Sequence, residues 1–239
     1  MLILLDKVLS NSYSASRQEW QPPFWRCFLK AKDFSKLERP IADEEILAAL
    51  CSLKPYKASG LDGLHAGFFQ RFWLIVGNSV KSEVKQSFCT GKVLEYLNKT
   101  LITFIPKCNS PETLNNYQPI GLCNTMYKVI TKLIVARLQP ALEYLVLPLQ
   151  TTFMPKRKGV DNAIIVQEHI HSISKKRGRE GIMAIKIDLE KAYDRLEWSF
   201  IKDALTLFKF PSHLISLIMS CVSSSSSSIL FNDWALDLF

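Results

Sequence analysis

The chain has 239 residues, 48% hydrophobic and 22% charged, with a formal net charge of +8. This is ordinary for a globular protein with one large domain or two small ones, and no apolar run approaches the length of a membrane span. The charge favours an anionic partner, with nucleic acid ahead of an acidic membrane surface, although many soluble proteins are as basic.

The six cysteines are Cys27, Cys51, Cys89, Cys108, Cys123 and Cys221, and none forms a Cys-x-x-Cys pair. Their spacing suits neither zinc nor a disulfide framework, so reduced thiols in an intracellular protein are expected. Met1 to Leu9 is apolar but carries Asp6 and no basic start, a poor match to a signal peptide. An intracellular, nuclear or cytoplasmic chain that is not secreted follows as the expectation.

Residues 1 to about 38 fit no template, because Trp20, Pro22, Pro23, Phe24 and Trp25 cluster aromatic rings with prolines. From Ile41 the pattern clears. Asp43, Glu44 and Glu45 put acid in a first helical turn, Ile46, Leu50 and Leu53 follow at helical spacing, and Pro55 ends the helix. Lys57-Ala58-Ser59-Gly60-Leu61-Asp62-Gly63 is a glycine-bracketed basic loop. It reads either as a turn between helices or as a loop that lays amides and Lys57 against phosphates. Phe68, Phe69, Phe72, Trp73 and Val76, continued by Val80, Val84 and Phe88, predict one helix with an aromatic core face.

Thr100 to Ile105 reads as a strand closed by Pro106, and Pro111 to Tyr117 as a polar loop. Met126 to Leu138 predicts a helix with Ile130, Leu133 and Ile134 inward, which Pro140 divides from a shorter piece. After a basic knot at Lys156, Arg157 and Lys158, Asp161 is a candidate cap for a helix whose face is Val166, Ile170 and Ile173. Lys175-Lys176-Arg177-Gly178-Arg179 is a charged connector that adds to any nucleic-acid surface.

Ile182 to Trp198 carries the most chemistry. Met183, Ile185, Ile187 and Leu189 alternate with Ala184, Lys186 and Asp188, the period of a half-buried strand. Asp188 would then be a carboxylate at a strand's end, with Lys191 to Asp194 turning into a helix. A carboxylate so placed, beside an aromatic on the next turn, is a start for a metal and phosphate site. Beyond it, Ile201, Leu205 and Phe208 mark one helix and Leu214, Leu217, Ile218 and Cys221 another, with Pro211 between them. Six consecutive serines, Ser223 to Ser228, run directly into Ile229, Leu230 and Phe231 and predict the start of an edge strand.

Several of these segments together resemble the reverse transcriptase of non-LTR (long-interspersed-element type) retrotransposons, the plant ones especially. The likeness runs from about Ile41 to Leu230. Lys57 to Gly63 is similar to the family's lysine and Pro-Gly-x-Asp-Gly loop, and Ile105-Pro106-Lys107 with Tyr117-Gln118-Pro119-Ile120 to its fingers motif. Gln150 to Phe153, Arg157 and Asp161-Asn162 resemble the next block, and Ile187-Asp188-Leu189 through Ala192-Tyr193-Asp194 the first palm motif. Any one of these is weak; four in family order are specific.

The resemblance implies an α+β right-hand polymerase, with residues 1-40 an extension, 41-180 the fingers and 181-239 an incomplete palm carrying a partial antiparallel sheet. It implies an RNA template, a DNA primer and deoxynucleoside triphosphates as partners, no membrane, and two Mg2+ ions as cofactors. Asp188 matches the catalytic carboxylate that binds both ions, beside Leu189 at the triphosphate. The ions, about 3.5–4 Å apart, activate the primer hydroxyl and stabilise the leaving pyrophosphate. Tyr193 matches the aromatic beneath the sugar that excludes a 2′-hydroxyl, and Arg157 a fingers residue near the triphosphate, where a guanidinium fork suits phosphate. Lys57 is the remaining nucleotide-binding candidate. Each has a structural competitor: a helix cap for Asp188, core packing for Tyr193, a surface charge for Arg157, a plain turn for Lys57.

The departures carry as much weight. The sequence has no Arg-Gln-Gly motif and no Asp-Asp pair, so the later catalytic carboxylates of the family are missing. One aspartate does not supply two divalent ions with their oxygen ligands. Gln118, Ser59 and Lys156 stand where the family has arginine, proline and glycine, and Asn232-Asp233-Trp234 replaces an Asn-Gly turn. The expectation is a truncated or decayed fragment, inactive alone, with stable fingers and a marginal half-palm. Its competitors are a non-catalytic module that binds RNA or an RNA–DNA hybrid, and a remnant without function.

Overall fold

A computed structural model of the chain describes residues 28–177, 182–187, 195–232 and 234–237. The chain divides into two compact units. One joins Phe28–Glu143 to Leu196–Phe239, and the described part of the other lies within Tyr144–Arg195.

The first unit opens with helices α1 (Ala31–Glu38) and α2 (Asp43–Cys51). Three acids fill the first turn of α2, where the helix dipole favours them. Glu45 also reaches back to accept the Ala42 N–H at 3.0 Å, one half of a capping box. The other face of α2 buries Ile46 and Leu50 completely.

The helix expected over Phe68–Phe88 forms as two, α3 (Ala66–Arg71) and α4 (Trp73–Thr90). The chain leaves helical geometry at Phe72, which is 41% exposed, so the aromatic stripe is interrupted there. Phe69, Val80 and Val84 are buried as the spacing requires. Gly91 ends α4 in a left-handed conformation and donates to the Ser87 carbonyl, the usual glycine stop.

Strand β1 (Lys99–Pro106) forms where Thr100 to Ile105 predicted it. The following segment is not only a polar loop. After a short 3-10 turn at Leu114–Asn116, residues Tyr117–Cys123 form β2, antiparallel to β1 in a register from Thr100–Cys123 to Pro106–Tyr117. Helix α5 (Thr125–Leu145) then runs through Pro140 without dividing. Pro140 lies on the exposed side, where the Ala136 carbonyl it leaves without a donor meets water. Ala141, 1% exposed, continues the buried face of Val129, Ile130, Leu133 and Ile134, so packing carries the helix past the proline.

Helix α6 (Gly159–Lys175) begins after Lys158, so Asp161 is a first-turn acid and not the cap. Its predicted inner face stays open. Val166 and Ile170 are 55% and 56% exposed, Ile173 is half-buried, and no residue of the helix is buried. The strand predicted from Ile182 does not form either: residues 182–187 carry no regular structure and are all exposed. Alternation specifies a face, but a strand needs a hydrogen-bonded neighbour, and among the described residues none pairs with this stretch.

Helices α7 (Trp198–Leu207) and α8 (Ser212–Ser223) pack on each other, and α8 also on α4, burying Leu214 and Leu217. The serine run does enter a strand, β3 (Ser226–Phe231), followed by the two-residue β4 (Trp234–Ala235). The sheet order is β2-β1-β3-β4, so β3 is interior and not an edge. It pairs parallel with β1, Lys99 to Ser226 through Ile102 to Ile229, and antiparallel with β4. The sheet is therefore mixed, within an α+β unit. Asn98, 2% exposed, fixes the start of β1: its amide donates to the carbonyls of Ser220 and Cys221 at 3.3 and 3.2 Å. No helix among the described residues is long and apolar enough to cross a membrane, and the five described cysteines are free thiols.

Candidate nucleic-acid interface

The Lys57 loop is a fixed structure. Gly60 is buried against the chain at Cys123 and Asn124, so close that a Cβ would lie 2.3 Å from the Asn124 side-chain oxygen and 2.5 Å from its main-chain nitrogen. The Asn124 Oδ1 accepts the Asp62 N–H at 3.3 Å, and its Nδ2 donates to the carbonyls of Tyr96 and Leu97 at 3.2 and 3.4 Å. Two further bonds come from α5: Thr125 Oγ1 to the Leu64 carbonyl at 2.7 Å, and Lys128 Nζ to the Ala58 carbonyl at 3.0 Å. Asp62 closes its own turn by accepting the Leu64 N–H at 3.0 Å, and Gly63 has φ of +69°, a left-handed position that favours glycine. The reading as a turn is the one the structure shows. The loop is a turn between α2 and α3, and it presents Lys57 to solvent.

Asn124 is the residue that sequence reasoning missed. It sits alone between strand and helix, a residue type suited to a helix start. Its carbonyl does accept the Lys128 N–H at 3.1 Å, but its side chain serves the loop and the segment before β1.

Arg157 has a different occupation from the one expected. Its guanidinium donates to the main-chain carbonyls of Val146 (3.2 Å), Leu147 and Gln150 (2.9 Å). Asn162 Nδ2 donates to the Leu149 carbonyl at 2.6 Å. The block of Arg157 and Asn162 therefore clasps the turn at residues 146–150, in the described part of the second unit, whereas Lys57 belongs to the first. Lys156 adopts φ of +63° in this segment, a conformation that glycine meets without strain. Two outcomes follow. Lys156→Gly should keep or slightly raise the melting temperature, while Lys156→Val should cost about 1–2 kcal/mol, because a β-branched side chain tolerates a left-handed backbone poorly. Thermal unfolding of the two variants beside the parent checks both.

Asp188, Leu189 and Tyr193 lie outside the described residues. Among the described residues no three His, Cys, Asp or Glu side chains converge, so that part of the chain does not by itself fit a divalent cation. Two titratable groups near β1 are held neutral. Burial pushes the Cys221 thiol up to about 11, which makes it packing and not a nucleophile. The hydrogen bond from Tyr96 to Glu83 pushes the phenol up to about 12.

Comparison with known proteins identifies the family of the segment that follows this loop in the chain. The family described as reverse transcriptase (RNA-dependent DNA polymerase) matches residues 105–235, more than half of the chain. The chain belongs to the reverse transcriptase family. It is 27% identical over 201 residues to the transposon TX1 uncharacterized 149 kDa protein of Xenopus laevis, covering 84% of this chain and 15% of that protein. It is 26% identical over 191 residues to the retrovirus-related Pol polyprotein from type-1 retrotransposable element R2 of Popillia japonica, covering 80% and 26% respectively. A third relative, the Pol polyprotein from type-2 retrotransposable element R2DM of Drosophila melanogaster, is 24% identical over 57% of this chain and 12% of its own length. The chain thus spans about a quarter or less of the curated relatives it matches.

Proposed function

We propose that the chain is the fingers and part of the palm of a non-LTR retrotransposon reverse transcriptase, of the plant type its motifs resemble. In this reading residues 41-180 serve as fingers and 181-239 as palm, and the chain binds an RNA template with a DNA primer. The observation that carries it is the family match over residues 105–235. The four motifs in family order, the net charge of +8 and the rigid, exposed Lys57 loop support it.

Asp188 is proposed as a ligand of two Mg2+ ions, Leu189 as a neighbour of the triphosphate, and Tyr193 as the residue that excludes a 2′-hydroxyl. Lys57 contacts phosphate. Arg157 acts on the triphosphate only if it releases the carbonyls it now holds; otherwise its part is to shape the turn at residues 146–150. Because the sequence has no Asp-Asp pair, the 239-residue chain is expected to bind template and primer without extending it.

A primer-extension assay with Mg2+, run beside a salt titration of RNA binding, tests both parts. The expected result is binding that weakens steeply with salt and no incorporation. Incorporation that disappears in Asp188→Asn would show the chain to be a complete enzyme. Absence of RNA binding even at low salt would remove the nucleic-acid reading.

A further inference from the structure

The segment before Lys57 carries a feature that neither the motifs nor the family match assigns. Tyr56 is 84% exposed, in the sequence Lys54-Pro55-Tyr56-Lys57. Its ring is open to a ligand, and lysines stand two residues before it and directly after it in the chain.

The turn that carries Tyr56 is fixed from below. Pro55 sets its own backbone angle, and its carbonyl accepts the Gly67 N–H at 2.9 Å. A Cβ on Gly67 would lie 3.1 Å from Pro55, so the two segments touch directly. The Lys57 N–H points to the Lys54 carbonyl at 3.5 Å. The Tyr56 ring meets His65 edge to face, 5.7 Å between centroids at 74°. His65 is itself held, because its Nδ1 accepts the Phe68 N–H at 3.2 Å. The loop then continues into Gly60 and Asn124, whose bonds fix it to the start of α5.

We propose that Tyr56 is a stacking platform for one unpaired base of a single-stranded RNA, with Lys54 and Lys57 against the flanking phosphates. The inference rests on the nucleic-acid reading above and adds to it a named base-binding residue. A ring set on a rigid turn loses little freedom when a base stacks on it, and every base offers a π-face. Lys54 and Lys57, both exposed and within two residues of Tyr56 in the chain, suit the phosphates on either side of that base and give the surface its charge complementarity. A single aromatic platform selects unpaired bases over a duplex, where both faces of each base are already covered.

The test is fluorescence anisotropy of the whole chain with a labelled single-stranded RNA of mixed sequence, from about 50 mM salt upward. The variants are Tyr56→Ala, Tyr56→Phe and Lys57→Gln. Tyr56→Ala should weaken binding on the order of 5- to 150-fold without changing the salt slope, and Tyr56→Phe should bind within about twofold of the parent. Lys57→Gln should lower the slope by about 0.7. On a strand of abasic sites, Tyr56→Ala and the parent should bind alike. If Tyr56→Ala binds RNA as the parent does while Lys57→Gln lowers the slope, the platform is wrong and the nucleic-acid reading stands. An equal loss on RNA and on the abasic strand would overturn the platform as well. No binding by the parent would remove the reading and the platform together. Binding only to DNA of the same sequence would overturn the assignment to RNA.

Discussion

Arg137→Ala is expected to lower the stability of the first unit by about 3 kcal/mol, the largest single-residue loss among its polar contacts. The Arg137 side chain is 7% exposed, and its Nη2 and Nε meet the two oxygens of Glu45 at 2.9 and 3.3 Å. It also donates to the carbonyls of Arg39 and Pro40, and its guanidinium lies 5.9 Å from the centre of the Phe88 ring. Removing it leaves Glu45 half-buried with only Arg39 and the Ala42 N–H, while the exposed carbonyls of Arg39 and Pro40 turn to water. Urea unfolding of the parent and the variant measures the difference.

The same pair sets a pH dependence. Burial pulls the Glu45 carboxyl up. The Arg137 hydrogen bond, the Ala42 N–H and the charges of Arg137 and Arg39 outweigh that and hold it below its ordinary value of 4.5. A carboxyl lowered by folding stabilises the folded state fully above its unfolded value. That contribution is lost as pH falls through the lower folded value. The gap between the parent and Arg137→Ala should therefore narrow from about pH 6 to about pH 3. A gap that stays constant over that range would assign the cost to lost packing instead.

Gly60→Ala should follow closely, at about 2–3 kcal/mol. The new methyl would lie 2.3 Å from the Asn124 side-chain oxygen, and 2.5 and 2.6 Å from main-chain atoms of Asn124 and Cys123. A side chain can rotate away, but the main chain here begins α5 and has little room to move. Asn124→Ala alone should cost a similar amount, because the Asp62 N–H and the carbonyls of Tyr96 and Leu97 lose their shared partner. The double variant separates the causes. If the clash were only with the amide, Asn124→Ala would rescue Gly60→Ala. The main-chain contacts predict no rescue, and thermal unfolding of the four proteins decides it.

Local signals made much of the fold legible. The acids of α2, the strand at Thr100 to Ile105, the buried stripe of α4 and the apolar end of β3 each obey the period of one element. What escaped depends on partners. Strand β2 contains Pro119 and Gly121, which argue against a strand, yet it is the edge of the sheet, where a missing N–H does no harm. Pro140 reads as a break until it is known to face solvent. The alternation from Ile182 to Ile187 reads as a strand but has no neighbour among the described residues. Asn124 is a single polar residue whose partners lie 28 and 62 positions away. Of the candidate site, the Lys57 loop was legible as a loop, but the bonds that make it rigid were not. Lys156, at φ of +63°, stands where the resemblance expects glycine and holds a backbone shape that glycine would meet with less strain.

The parallel pairing of β1 with β3 also constrains when the unit can be completed. Lys99 waits for Ser226, about 127 positions later in the chain. At synthesis rates of about 5–20 residues per second, that wait lasts on the order of 6–25 s. Through that interval the β1–β2 hairpin leaves a ribosome with one side of β1 unpaired, open to another copy of the same strand. Asn98, which also waits for Ser220 and Cys221, cannot close the gap early. A nascent chain of this protein is thus most exposed to self-association late in its synthesis, just before the serine run emerges.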